Sequence, residues 1–125
     1  MKQQALSCHC GNVQLSFDHW PESVTCCNCS ICRRYAALWG YFQPKDVMVE
    51  IAKETVAYRW GDGCIDFHHC AVCGCVTHYE SADSSSTPRT AINFRMADGL
   101  KSTQVKYFDG AESWCFLDES EVRKV

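Results

Sequence analysis

Aliphatic residues are scarce in this chain. Leu, Ile, Val and Phe together supply 25 of its 125 residues, which is at the lower edge of what lets a chain bury a sufficient core. Long hydrophobic runs are missing too. No stretch approaches the roughly 20 apolar residues of a membrane-spanning helix, so no membrane role is expected. The N-terminal MKQQALSCHCGNVQ has no apolar run of the length that a secretory signal requires, which predicts a cytoplasmic, reducing location. Positive charge is not in excess. With 12 Lys and Arg against 15 Asp and Glu, the formal net charge is -3, so there is no electrostatic case for nucleic acid. Linkers, repeats and low-complexity tracts are absent apart from the loop-like SADSSSTP at 81–88 and a few short glycine turns. Residues 1–125 therefore read as a single domain.

Cysteine, in contrast, is abundant: there are 11. A chain with few aliphatics gains stability from covalent or metallic cross-links. The odd count and the close spacing favour metal over disulfides.

The hydrophobic pattern is mostly β. Val13, Leu15 and Phe17 alternate with Gln14, Ser16 and Asp18, the period of a half-buried strand. Further short strands are predicted over 38–42, 55–60, 65–69, 76–79, 90–96, 105–108 and 113–117, with Gly61-Asp62-Gly63 as a hairpin signal. Helical periodicity is confined to one short helix over 30–37 and a helical turn over 44–47.

Three cysteine motifs carry the chemistry. Cys8-His9-Cys10-Gly11 is a C-x-C pair whose sulfurs, in extended backbone, project to one side. Cys27-Asn28-Cys29-Ser30-Ile31-Cys32 is a same-side pair followed by a turn that returns a third sulfur. Cys70-Ala71-Val72-Cys73-Gly74 is a C-x-x-C knuckle with a glycine suited to positive φ just after it. Four thiolates close a structural zinc site, whereas three leave a position open for chemistry. Cys8, Cys10, Cys70 and Cys73 make one closed set and leave Cys27, Cys29 and Cys32 open. Cys75 brings the total in these clusters to eight, which also equals two closed sites, and iron-sulfur or redox chemistry is a further reading. Spacing alone does not choose between them.

The order C-x-C-G, C-x-C-x-x-C-R, C-x-x-C-G resembles the glutathione-dependent formaldehyde-activating enzyme family, whose domain is shared with centromere protein V. The resemblance extends through Ala91-Ile92-Asn93-Phe94-Arg95, Asp98-Gly99 and Asp109-Gly110 to Trp114. It implies a β-tent of small antiparallel sheets and two zinc ions per chain. One is a structural zinc on Cys8, Cys10, Cys70 and Cys73; the other is a catalytic zinc on Cys27, Cys29 and Cys32. The implied activity is that of a carbon-sulfur lyase-like enzyme joining a small thiol such as glutathione to a small aldehyde such as formaldehyde, giving an S-hydroxymethyl adduct. His69 departs from the family pattern, where the position before the knuckle is commonly aromatic. Cys75 is an extra thiol beside the structural site.

Other residues have two readings. Arg33 and Arg34, next to the open cluster, are candidates for pairing with a substrate carboxylate, or are simply solvated. Trp39, Tyr41 and Phe42 wall a pocket or belong to the core. Of His68 and His69, at most one approaches any given site, because consecutive strand residues face opposite sides; His9 reads as a bystander. Cys26, Cys64 and Cys115 read as small buried hydrophobes. The alternative to the enzyme is a noncatalytic zinc module for protein interaction with two structural zincs. Sulfoxide reduction on a related zinc fold needs a reactive cysteine away from metal, for which Cys26, Cys64, Cys75 and Cys115 are the candidates.

Overall fold

The computed structural model describes residues 4–60, 63–82, 87–100 and 102–118. Two sheets dominate it. The smaller has three antiparallel strands, in the order β1 (Gln4–Ser7), β2 (Val13–Phe17) and β5 (Val47–Ile51). The larger contains β3 (Ser23–Cys27), β4 (Trp39–Phe42), β6 (Val56–Trp60), β7 (Ile65–His69), β8 (Val76–Ser81), β9 (Thr90–Asn93) and β10 (Gln104–Phe108). Its strand order is β10-β3-β4-β9-β8-β7-β6, antiparallel except where β10 runs parallel to β3. One short helix, α1 (Ser30–Tyr35), and two 3-10 turns, Pro44–Asp46 and Phe94–Met96, complete the described elements. This is the mostly β architecture that the pattern predicts, arranged in small sheets as the resemblance implies, with the parallel β10-β3 pair as the departure from an antiparallel arrangement.

Alternation in β2 builds the contact between the sheets. Val13, Leu15 and Phe17 are fully buried while Gln14 is exposed. Phe17 meets the rings of Trp20, Phe42 and Phe94 at 5.9, 5.2 and 5.5 Å between centroids. These aromatic contacts stand in for the missing aliphatics. A second buried cluster, of Cys32, Ala37, Trp39, Phe67, Tyr79 and Ala91, lies on the large sheet. Phe42 thus belongs to the first core, whereas Trp39 belongs to the second.

Several elements differ from the pattern. β1, β3 and β5 carry no strong alternation and were not expected as strands. The expected strand over 90–96 stops at Asn93, because the Asn93 side chain accepts the Arg95 N–H at 3.0 Å and starts a 3-10 turn. The expected strand over 113–117 is a turn with a single bridge, Phe108 to Phe116. Asp109 draws Ser113 into that turn through its N–H and hydroxyl, at 3.2 and 2.9 Å. β6 and β7 pair antiparallel, but Gly61 and Asp62 of the expected hairpin lie outside the described residues. Cys64 and Cys115 are exposed and so are not the buried hydrophobes expected, whereas Cys26 is half-buried and packs against the first core.

Candidate metal centres and cleft

Cys8, Cys10, Cys70 and Cys73 bring their sulfurs within 4.8 Å of one another. The C-x-C pair is not extended, as expected, but sits in the turn between β1 and β2, closed by Cys8 N–H to Val13 C=O at 3.0 Å and Gly11 N–H to Cys8 C=O at 3.1 Å. The knuckle follows β7, and Gly74 takes the positive φ of 82° that lets the chain turn back into β8. Sulfur separations of 3.7 Å for Cys8 to Cys10 and 3.6 Å for Cys10 to Cys70 match the edge of a tetrahedron, about 3.8 Å, that four zinc-bound thiolates span. They are far too long for disulfides.

Backbone donors prepare these sulfurs for negative charge. Cys70 Sγ accepts N–H groups of Val72 and Cys73 at 3.3 and 3.4 Å, and Cys8 Sγ accepts that of Val13 at 3.3 Å. Cys73 is held down at about 5 by the N–H groups of Cys75 and Cys10, against burial. Cys10 is the counterpart. Although the Asn12 N–H pulls it down, burial and the neighbouring thiols of Cys70, Cys8 and Cys73 push it up to about 11. Crowded sulfurs that disfavour joint ionisation are a set that a divalent cation stabilises. Cys75 adjoins this cluster, with the Cys73 thiol and the His9 N–H against it. It does not join the second cluster.

Cys27, Cys29 and Cys32 form that second cluster, again within 4.8 Å. Cys27 ends β3, Cys29 is the extended residue before α1, and one turn of helix returns the buried Cys32. Cys27 is pulled down to about 6 by its hydrogen bond with Cys32, assisted by the N–H groups of Cys29 and Gly110 and opposed by burial. Cys32 is pushed up by the same contact and by burial; Trp39 Nε1–H reaches its sulfur at 3.4 Å. Among the described residues, no fourth metal-ligating side chain completes this group.

A buried polar clasp fixes the cluster against the loop after β10. Asn28 donates to Asp109 Oδ1 at 3.0 Å and accepts the Ala111 N–H at 3.0 Å. Asp109 is held down at about 2 by the Asn28 amide and by Ser113. The clasp sets Gly110 directly on the cluster: a Cβ there would stand 2.7 Å from Cys27 Sγ and 3.3 Å from Cys29 Cβ. Only glycine leaves the sulfurs undisturbed.

The three sulfurs line a cleft of about 620 Å³. Its walls include Ile31, Trp39, Tyr41, Phe67 and Tyr79, and its exposed rim includes Trp60, Trp114 and Phe116. Burial pushes the Tyr41 and Tyr79 phenols up, which leaves the walls uncharged at neutral pH. The cation among the lining residues is Arg89, its guanidinium 4.4 Å from the Tyr41 ring centre and 5.6 Å from that of Tyr79. Arg33 and Arg34 sit exposed on α1 outside the lining, and Arg34 turns back to Ser30 C=O at 2.8 Å. Sequence reasoning missed Arg89. It lies next to the loop-like 81–88 stretch, some 60 residues from the nearest cluster cysteine of the cleft, and no local motif marks it.

Fold and centres together define a mostly β protein organised around cysteine clusters suited to metal. The chain belongs to the family described as glutathione-dependent formaldehyde-activating enzyme, whose model matches residues 3–115. A crystal structure of a Rhodobacter sphaeroides protein, a structural genomics target, shares the fold with a TM-score of 0.66 and 24% identity, over 82% of this chain and 99% of the other. No curated protein sequence matches the chain. Among the described residues, no helix is long and apolar enough to cross a membrane.

Proposed function

We propose that this protein is a zinc-dependent carbon-sulfur lyase-like enzyme that joins a small thiol, glutathione or a relative, to a small aldehyde such as formaldehyde. The observation that carries this reading is the three-sulfur cluster of Cys27, Cys29 and Cys32, open on one side to an aromatic cleft. Cys8, Cys10, Cys70 and Cys73 hold a structural zinc in this account, and Cys27, Cys29 and Cys32 a catalytic one. When bound at the open cluster, zinc supplies positive charge that favours the thiolate form of an incoming thiol.

The reaction breaks the thiol S–H bond, forms a bond from sulfur to the carbonyl carbon, and places the displaced carbonyl electron pair on oxygen, where a proton completes the S-hydroxymethyl group. The chain's own residues provide the surroundings. Trp39, Phe67 and Tyr79 give the sulfurs an apolar wall, and Gly110 leaves room at Cys27. Arg89 takes the place proposed for a carboxylate-binding cation, because it lines the cleft while Arg33 and Arg34 do not. The many thiols suit a reducing, cytoplasmic setting.

Adduct formation from glutathione and ¹³C-formaldehyde, followed by exchange NMR, tests the proposal. Metal-loaded protein is expected to raise the rate above that of the uncatalysed reaction. Arg89→Ala should raise KM for glutathione by about tenfold or more with a smaller effect on kcat, the scale of a lost charge-assisted hydrogen bond. A rate equal to that without protein would leave a noncatalytic zinc module.

A further inference from the structure

His68, His78 and Glu80 form a cluster on the opposite face of the large sheet. Phe67 and Tyr79 line the cleft, so their strand neighbours His68 and His78 point away from it. The two histidines are directly paired across β7 and β8, and their rings stack at 4.5 Å and 4°. Glu80 follows His78 by two residues and so shares its face. Its carboxylate oxygens stand 3.3 Å from His78 Nε2 and 3.8 Å from His68 Nε2. All three donor atoms lie within 4.8 Å of one another.

Hydrogen bonding places both Nδ1 atoms on threonine hydroxyls and leaves both Nε2 atoms facing the carboxylate. Thr77 Oγ1 lies 3.3 Å from the His68 C=O and 2.8 Å from His78 Nδ1; with its proton on the carbonyl, it accepts from Nδ1–H. In that tautomer Nδ1 carries the proton and the lone pair of His78 is on Nε2, which faces Glu80 at 3.3 Å. Thr55 Oγ1 and His68 Nδ1 share a hydrogen bond of 2.7 Å, which leaves His68 Nε2 toward the carboxylate. A hydrogen-bond partner on Nδ1, with Nε2 left free on the other side of the ring, is the outer-shell arrangement of metal-bound histidines. His78 is 1% exposed, and its Nε2 is a buried polar atom with no hydrogen-bond partner. An Nε2 lone pair aimed at a carboxylate is repulsive unless a proton or a metal cation lies between them, and a bound ion supplies that cation while Nδ1 keeps its proton.

We propose that His68 Nε2, His78 Nε2 and Glu80 bind a divalent first-row transition ion, zinc among them, at a site separate from both cysteine clusters. Two imidazoles and one carboxylate are a donor set for such ions, with positions left open for water. A shared ion at about 2.1 Å from each donor spaces them by no more than about 4.2 Å, so a modest tilt of the stacked rings brings the lone pairs together. The Glu80 side chain is 45% exposed and that of His68 18%, which gives an ion its route from solvent.

Equilibrium dialysis of the protein, with its cysteine-bound metal in place, against zinc tests the site. Wild type is expected to take up one further zinc ion, with shifts of the His68 and His78 ring signals in NMR. Glu80→Gln and His68→Gln, both at partly exposed positions, should weaken that uptake at least about tenfold while keeping the thiolate-bound metal. His78→Gln should do the same if it folds. The proposal is overturned if wild type binds no zinc beyond that on its cysteines, as an imidazolium-carboxylate pair would require. It is equally overturned if Glu80→Gln and His68→Gln both retain the additional ion.

Discussion

Cys70→Ser is expected to yield insoluble or unfolded protein. Cys70 and Cys10 are 60 residues apart in sequence and 3.6 Å apart at sulfur, so an ion on this cluster ties the turn after β1 to the end of β7. Binding a structural zinc is worth roughly 10 kcal/mol or more in small zinc modules, comparable with the whole stability of an ordinary domain. Here the aliphatic core is thin, and Cys8 and Cys70 are themselves part of it, at 2% and 1% exposure. Serine removes a thiolate and leaves the Val72 and Cys73 N–H groups facing a poorer acceptor. Soluble yield and thermal unfolding check this. A soluble variant with unchanged thermal midpoint would contradict the structural role.

Cys29→Ala is expected to act in the opposite manner, leaving the fold and removing the chemistry. Cys27, Cys29 and Cys32 span one short loop and the first turn of α1, so their cross-link holds little chain together. The Asn28-Asp109 clasp and the packing of Trp39 persist without the Cys29 sulfur. The variant should keep its circular-dichroism spectrum, lose one metal ion per chain, and lose adduct-forming activity by about a hundredfold or more. Global unfolding would mean that this cluster is structural as well.

The contrast between these variants reflects what a sequence displays. Cysteine spacing is local, so all three clusters stood out, and their assembly across the chain followed from the family's motif order. β2 was legible because its alternation is strict, whereas Ser23–Cys27 in β3 is a Thr- and Cys-containing run without it. β5 was hidden because its apolar residues follow a proline-led turn and are only partly buried. Cys75 had two possible partners on spacing; its place after the knuckle keeps it beside Cys73. Asp109-Gly110 stood out only through the resemblance, and the roles of Arg89, Gly110 and His78 were invisible for a shared reason. Each acts on a side chain brought near by sheet pairing or by the clasp, and no spacing rule encodes that approach.

The most direct test of the account is the visible spectrum of cobalt-substituted protein, recorded for wild type and Cys75→Ala during addition of glutathione. Two thiolate-bound cobalt ions per chain are expected in both, and one of the two sets of bands should shift as the thiol enters the Cys27, Cys29, Cys32 cluster. Loss of one thiolate-bound ion from Cys75→Ala, together with a wild-type spectrum indifferent to thiols, would contradict the open site and leave two closed structural centres.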